Sequence, residues 1–102
     1  MPRYRLANRA RADLREIARY TFHAWGLEQA QRYTRDLLQC FERIAELPLL
    51  GRPCDRVQKG YRRLEHGRHV IFYRLDGDGV FIGRILHQRM LPDQRVMDEE
   101  TR

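Results

Sequence analysis

The sequence predicts an α+β domain, a helical hairpin packed on a small, mostly antiparallel sheet in the order β-α-α-β-β-β. Three observations predict it. Two apolar stripes at three- and four-residue spacing run from Ala10 to Trp25 and from Ala30 to Leu47, with a break only at Gly26. The chain then turns to branched and aromatic residues between Arg62 and His87, interrupted by turn-forming glycines. Finally, 102 residues hold one core and one domain. We place the domain at residues 1–91 and a polar tail, frayed at its end, at 92–102.

Each element has a local reason. Tyr4-Arg5-Leu6-Ala7 reads as a short strand. Asn8 follows as an N-cap, since its side chain can accept an N–H of the first helical turn. Ala10, Leu14, Ile17, Ala18, Thr21, Ala24 and Trp25 form the first stripe. Gly26 ends that helix as its C′ residue. Ala30, Tyr33, Leu37, Cys40, Phe41, Ile44 and Leu47 form the second, wider stripe, which Pro48 and Gly51 stop. Residues 51–61 read as a loop by their Gly and Pro content. Arg62–Glu65, Arg68–Leu75 and Val80–His87 are three strands. Asp76-Gly77-Asp78-Gly79 is a strong hairpin turn, and His66-Gly67 a second one.

Turn positions imply a register. With Gly77-Asp78 at the centre of the second turn, Leu75 faces Val80, Tyr73 faces Ile82 and Ile71 faces Arg84. With His66-Gly67 at the centre of the first, Leu64 faces His69 and Arg62 faces Ile71. One face then carries Ile71, Tyr73, Ile82, Arg84 and Leu86. The other carries Val70, Phe72, Phe81, Ile85 and His87. Both faces are partly apolar, whereas a one-sided sheet shows clean alternation. A partner polypeptide on the second face is the preferred reading, with the chain's own tail as the alternative.

Charge narrows the function classes. Nineteen arginines stand against one lysine, and the net charge is +6. The excess suits an acidic protein or nucleic acid, but it also follows from a GC-rich genome. Each half carries +3, so no basic arm stands out. The start has no apolar signal core, and no run of residues is long enough to span a bilayer. A soluble, cytoplasmic protein is expected. Cys40 and Cys54 are too few for a zinc ribbon, and His23, His66, His69 and His87 form no helical ligand pair. We expect no metal and no cofactor.

Arg62 and Arg84, which flank Ile71 in this register, suit a phosphate, a partner's carboxylate or an acid of their own domain. RNA cleavage without metal needs a base, an acid and cations. His69 and His87 are the acid and base candidates, yet this register puts them on opposite faces.

The residues Tyr4-Arg5-Leu6, Ala10-x-x-Asp13-Leu14-x-x-Ile17-x-x-Tyr20, Trp25-Gly26-x-x-x-Ala30-x-x-Tyr33, Pro48-x-x-Gly51-Arg52, Tyr61-Arg62-Arg63, His69-x-Ile71-Phe72-Tyr73-Arg74 and Arg84-Ile85-Leu86-His87-x-x-Met90 occur in that order. In these the chain resembles the ParE branch of the RelE/ParE toxin superfamily of bacterial type II toxin-antitoxin systems, over about residues 3–91. The resemblance implies a RelE/ParE-like fold and a non-enzymatic toxin that inhibits DNA gyrase. It implies neutralisation by a ParD-like antitoxin, with operator DNA reached only through that antitoxin. The alternative it implies is a RelE-like, ribosome-dependent mRNA endoribonuclease. That branch usually has a C-terminal tyrosine, and none follows Tyr73 here. Arg62, Arg63, Tyr73, Arg84, His87 and Arg89 are the candidate target or antitoxin contacts.

Overall fold

The computed structural model describes residues 3–90, and the expected tail lies outside the described residues. The elements are β1 (Tyr4–Leu6), α1 (Asn8–Trp25), α2 (Leu27–Glu46), β2 (Arg52–Pro53), β3 (Tyr61–His66), β4 (His69–Asp76) and β5 (Gly79–His87). They build a five-stranded sheet in the order β1-β5-β4-β3-β2. Among the described residues only the β1–β5 pair is parallel. Neither helix is long and apolar enough to cross a membrane.

The hairpin is as tight as its sequence implies. Gly26, at φ +97°, is the single residue between the helices. Its N–H donates to the Phe22 carbonyl and its own carbonyl accepts the Ala30 N–H, so it closes one helix and opens the next. The start of α1 differs from expectation. Asn8 is already helical; Ala7 is the N-cap and makes no side-chain cap bond. The Ala7 N–H instead donates to Ile82 of the sheet at 2.9 Å, so strand pairing sets where the helix begins.

Both stripes face the sheet, but they end early. Ala10, Ile17, Leu37, Phe41 and Ile44 are buried against Ile71, Tyr73, Val80, Ile82 and Ile85. Trp25, 71% exposed, and Leu47, 55% exposed, lie outside that core, as does Ala24. The hairpin overhangs the sheet at both ends.

The register departs from expectation in two places. The β3–β4 turn is one residue later than read, so His66 pairs with His69, Leu64 with Ile71 and Arg62 with Tyr73. This slip of two keeps every side chain on its face. The β4–β5 pairing runs as expected from Asp76 to Tyr73, and then a bulge intervenes. Tyr73 pairs with Ile82 but Phe72 pairs with Arg84, so Gly83 is the extra residue. One inserted residue exchanges the faces beyond it. Ile85 and His87 now share a face with Ile71 and His69, and Leu86 joins Val70 on the opposite one. Arg62 and Arg84 therefore do not flank Ile71.

The second face needs no separate polypeptide over its apolar residues, contrary to expectation. Tyr61, Val70, Phe72 and Leu86 are buried in a smaller cluster, and Cys54 and Val57 pack on it from the chain's own 54–60 segment. That segment is anchored by the two-residue strand β2, read from sequence as loop. Guanidinium groups cover the rest: Arg5 and Arg74 lie 5.0 and 4.5 Å from the Phe81 ring centre, and Arg63 lies 5.6 Å from that of Phe72.

One ion pair ties α1 to the bulged end of β5. Asp13 Oδ2 accepts Arg84 Nε–H at 2.7 Å and the Ile85 backbone N–H at 2.9 Å, and Oδ1 accepts from Arg84 Nη2 at 2.9 Å. The two side chains are 12% and 14% exposed. Such a bidentate pair, once desolvated, is costly to break from one side.

Two stability outcomes follow. Leu37→Ala removes a fully buried side chain and should cost about 2–5 kcal/mol, read as a lower urea midpoint at unchanged slope. Arg84→Ala strands the Asp13 carboxylate and should cost about 3–5 kcal/mol in the same measurement. Exchanging both partners for apolar residues of similar size (Asp13→Leu with Arg84→Met) should cost less than Arg84→Ala alone.

Candidate functional site: two grooves on the helical hairpin

The bulge and the overhang of α1 together create a groove at the end of the sheet. It measures about 820 Å³ and is lined by Tyr20 and Trp25 of α1, Tyr33 of α2, Arg68 of the β3–β4 turn, His69 and His87 of the sheet, and Arg89 and Met90 beyond it. Trp25 and Tyr20 are each 71% exposed. Sequence periodicity assigned Trp25 to the core stripe; its real place is the rim of this groove.

The floor is a hydrogen-bonded aromatic cluster. Tyr33 Oη lies 2.7 Å from His69 Nδ1 and 3.2 Å from the His66 carbonyl, and it accepts the Arg68 backbone N–H at 3.3 Å. The His69 and His87 rings stand edge-to-face with centres 5.4 Å apart. The two histidines are thus direct strand neighbours and not on opposite faces as expected. Burial, reinforced by nearby His87 and His66, pushes His69 down to about 4, against the pull of Asp13. His69 is therefore neutral at pH 7, and burial holds the Tyr33 hydroxyl above its ordinary value. The Tyr33 hydroxyl donates to the His66 carbonyl, and its short contact with Nδ1 holds the neutral His69 ring in place. Gly67, at φ +58°, has no room for a Cβ, which would meet Tyr33 Oη at 2.6 Å.

The expected contact residues do not form one surface. Arg84 is spent on Asp13. Tyr73 is fully buried; its hydroxyl donates to the Pro48 carbonyl and accepts the Gly51 N–H, both at 2.7 Å. Arg62 Nε–H donates to the Gly51 carbonyl at 2.7 Å. These bonds clamp the connection between α2 and β2. A Cβ on Gly51 would meet the Arg63 carbonyl and the Tyr73 hydroxyl, which explains a glycine after Pro48. Arg63 pairs with Glu65 at 3.1 Å on the second face. Of the expected contacts only His87 and Arg89 line the groove. Tyr20, Trp25, Tyr33 and Arg68 also line it and were not singled out from the sequence as site residues, whereas His69 was an acid-base candidate. Large aromatics at helical spacing, next to the glycine that ends the helix, were the available signal.

A second, shallower groove of about 690 Å³ runs along the hairpin seam. Ala18, Phe22, Leu27, Ala30 and Leu38 line it, with Arg19 and Arg35 beside them. Phe22 and Leu27 are 46% and 59% exposed. The small residues on its floor allow a third helix to approach closely.

The depressed His69 value carries a sign. Between about 4 and the ordinary 6.5, the unfolded chain binds a proton that the folded chain refuses. Stability contributed by neutral His69 is complete above that ordinary value and is lost as pH falls toward the folded one. Urea midpoints measured at pH 7 and pH 5 should differ less for His69→Asn than for the parent chain.

Comparison with known proteins agrees with this architecture. A family model described as the ParE toxin of the type II toxin-antitoxin system, parDE, matches residues 4–92. Toxin ParE1 of Caulobacter vibrioides is 49% identical over 90 residues, covering 88% of this chain and 93% of its own. Toxin ParE1 of Mycobacterium tuberculosis is 43% identical over 95 residues, covering 92% and 97%. A solved structure described as the chromosomal ParDE TA system from P. aeruginosa shares the fold, with a TM-score of 0.72 at 22% identity over 85% of this chain and 96% of that one. With its matched span, its strand order and its helical hairpin, the chain belongs to the ParE toxin family of type II toxin-antitoxin systems.

Proposed function

We propose that this ParE-type toxin acts by binding DNA gyrase in the cytoplasm, without itself catalysing a reaction, and that a ParD-like antitoxin holds it inactive. The observation that carries the reading is the hairpin itself. It leaves Phe22, Leu27, Trp25 and Tyr20 exposed on a domain of modest size, bordered by arginines. Exposed aromatic residues beside arginine are the composition of binding hot spots. The seam groove fits an amphipathic helix whose apolar side covers Phe22 and Leu27 and whose acids meet Arg19 and Arg35. Operator DNA is then reached only through the antitoxin.

Support for a non-catalytic mode comes from how the polar residues are used. Arg84, Arg62 and Tyr73 hold the fold together through the bonds described above. A second reading, RelE-like cleavage of mRNA on the ribosome, is favoured by one observation, the His69–His87 contact. Its weakness is His69, which at about 4 holds no extra proton to give at neutral pH.

Supercoiling and cleavage assays with purified gyrase separate the readings. The toxin should inhibit supercoiling and accumulate cleaved DNA, and a ParD-like antitoxin added first should restore activity. No effect on gyrase at large molar excess, together with new mRNA ends on translating ribosomes, would replace the first reading with the second.

A further inference from the structure

The seam groove and the end groove differ in chemistry. The seam has one aromatic residue, Phe22, among aliphatic and small ones, and its Arg19 is paired with Glu16. The end groove combines aromatic faces with cations. Trp25 and Tyr20, both widely exposed, line it together with His87, Arg68 and Arg89. Among the described residues no carboxylate pairs with Arg68 or Arg89, whereas Arg5, Arg19, Arg52, Arg63, Arg74 and Arg84 each have one. Of the acids lining the groove, Asp13 is bound to Arg84 and Glu16 to Arg19.

We infer that the end groove is a binding site for an unpaired nucleotide, with the base stacked on Trp25 and Tyr20 and its phosphate held by Arg68 and Arg89. Four features favour this ligand. Every base has a flat π-face, and exposed aromatic side chains bind it by stacking. Two guanidinium groups bordering the same groove supply the charge complement of a phosphate. The hydrogen bond to Tyr33 fixes the orientation of His69, so the floor offers polar atoms to a base edge without adding a positive charge. The volume of about 820 Å³ lies within the range of small-ligand sites. The ligand is either a free nucleotide or one nucleotide of a single strand, since both present a base and a phosphate. The inference does not depend on gyrase or on an antitoxin.

Trp25 is the only tryptophan of the chain, so its fluorescence reports on the groove directly. The purified full chain is titrated with AMP, with ribose 5-phosphate, and with single-stranded and duplex oligonucleotides. Saturable quenching by AMP shows that a free nucleotide suffices. Quenching by single strands alone shows that the nucleotide must belong to a strand. Either outcome supports the site, provided that ribose 5-phosphate and duplex DNA quench at least tenfold less well. Binding of a labelled single strand, followed by anisotropy, should weaken about tenfold or more with Trp25→Leu, Tyr20→Ala, or Arg68→Ala combined with Arg89→Ala. These residues are exposed, so circular dichroism should show an unchanged fold. Arg52→Ala, at the far edge of the sheet, should leave binding unchanged. Absence of saturable quenching by any nucleotide or strand would overturn the inference. So would binding that ignores both aromatic substitutions, or that falls equally with Arg52→Ala, because that is charge attraction alone.

Discussion

The carboxylate of Asp13 is the constraint on which the arrangement of this molecule depends. It accepts two hydrogen bonds from Arg84 and one from the Ile85 backbone, at a point where β5 has just slipped its register. A bulge frees backbone groups from the ladder and bends its strand. Here a helix side chain binds the freed N–H and so sets the distance between α1 and the sheet. The ion pair is nearly desolvated, and its worth lies in geometry more than in net energy. It secures the bulge that turns Ile85 inward under α1 and sets His87 next to His69.

That geometry divides the molecule into a closed body and two open grooves. The body is closed by bonds from residues that the sequence offered as contacts. Tyr73, Arg62 and Gly51 clamp one end of the hairpin, and Asp13 and Arg84 clamp its middle. What remains open is the other end, where α1 runs past the sheet and its aromatic residues find no core. An apolar stripe longer than the sheet beneath it thus leaves large side chains exposed. The overhang alone leaves this surface open.

Much of this was legible in the sequence, and the exceptions have physical causes. The two helices, their one-residue join and the Asp76–Gly79 turn follow from periodicity and from glycine, which act locally. The bulge was not legible, because Gly83 inside an apolar run is compatible with an unbroken strand. Reading through it exchanged Ile85 with Leu86 and separated the two histidines. β2 escaped notice because two residues, one of them proline, carry no period. Asp13 lies 71 residues from Arg84, so nothing in its neighbourhood announces the pairing. The groove was hidden for the same reason: its walls come from separate helices, a turn and strand ends that only the tertiary fold assembles. The family resemblance, by contrast, was visible because it rests on order and spacing along the chain.

The parallel pairing of β1 with β5 has a consequence for synthesis on the ribosome. Tyr4 pairs with Val80 and Leu6 with Ile82, so the first strand made waits for the last. The hairpin can form early from local contacts, but the sheet edge and the Asp13 clamp cannot close until β5 has left the exit tunnel. During that interval the helices expose both their outward aromatics and the stripe meant for the sheet. Completion of the domain is therefore a single late event, set by the pairing of its first strand with its last.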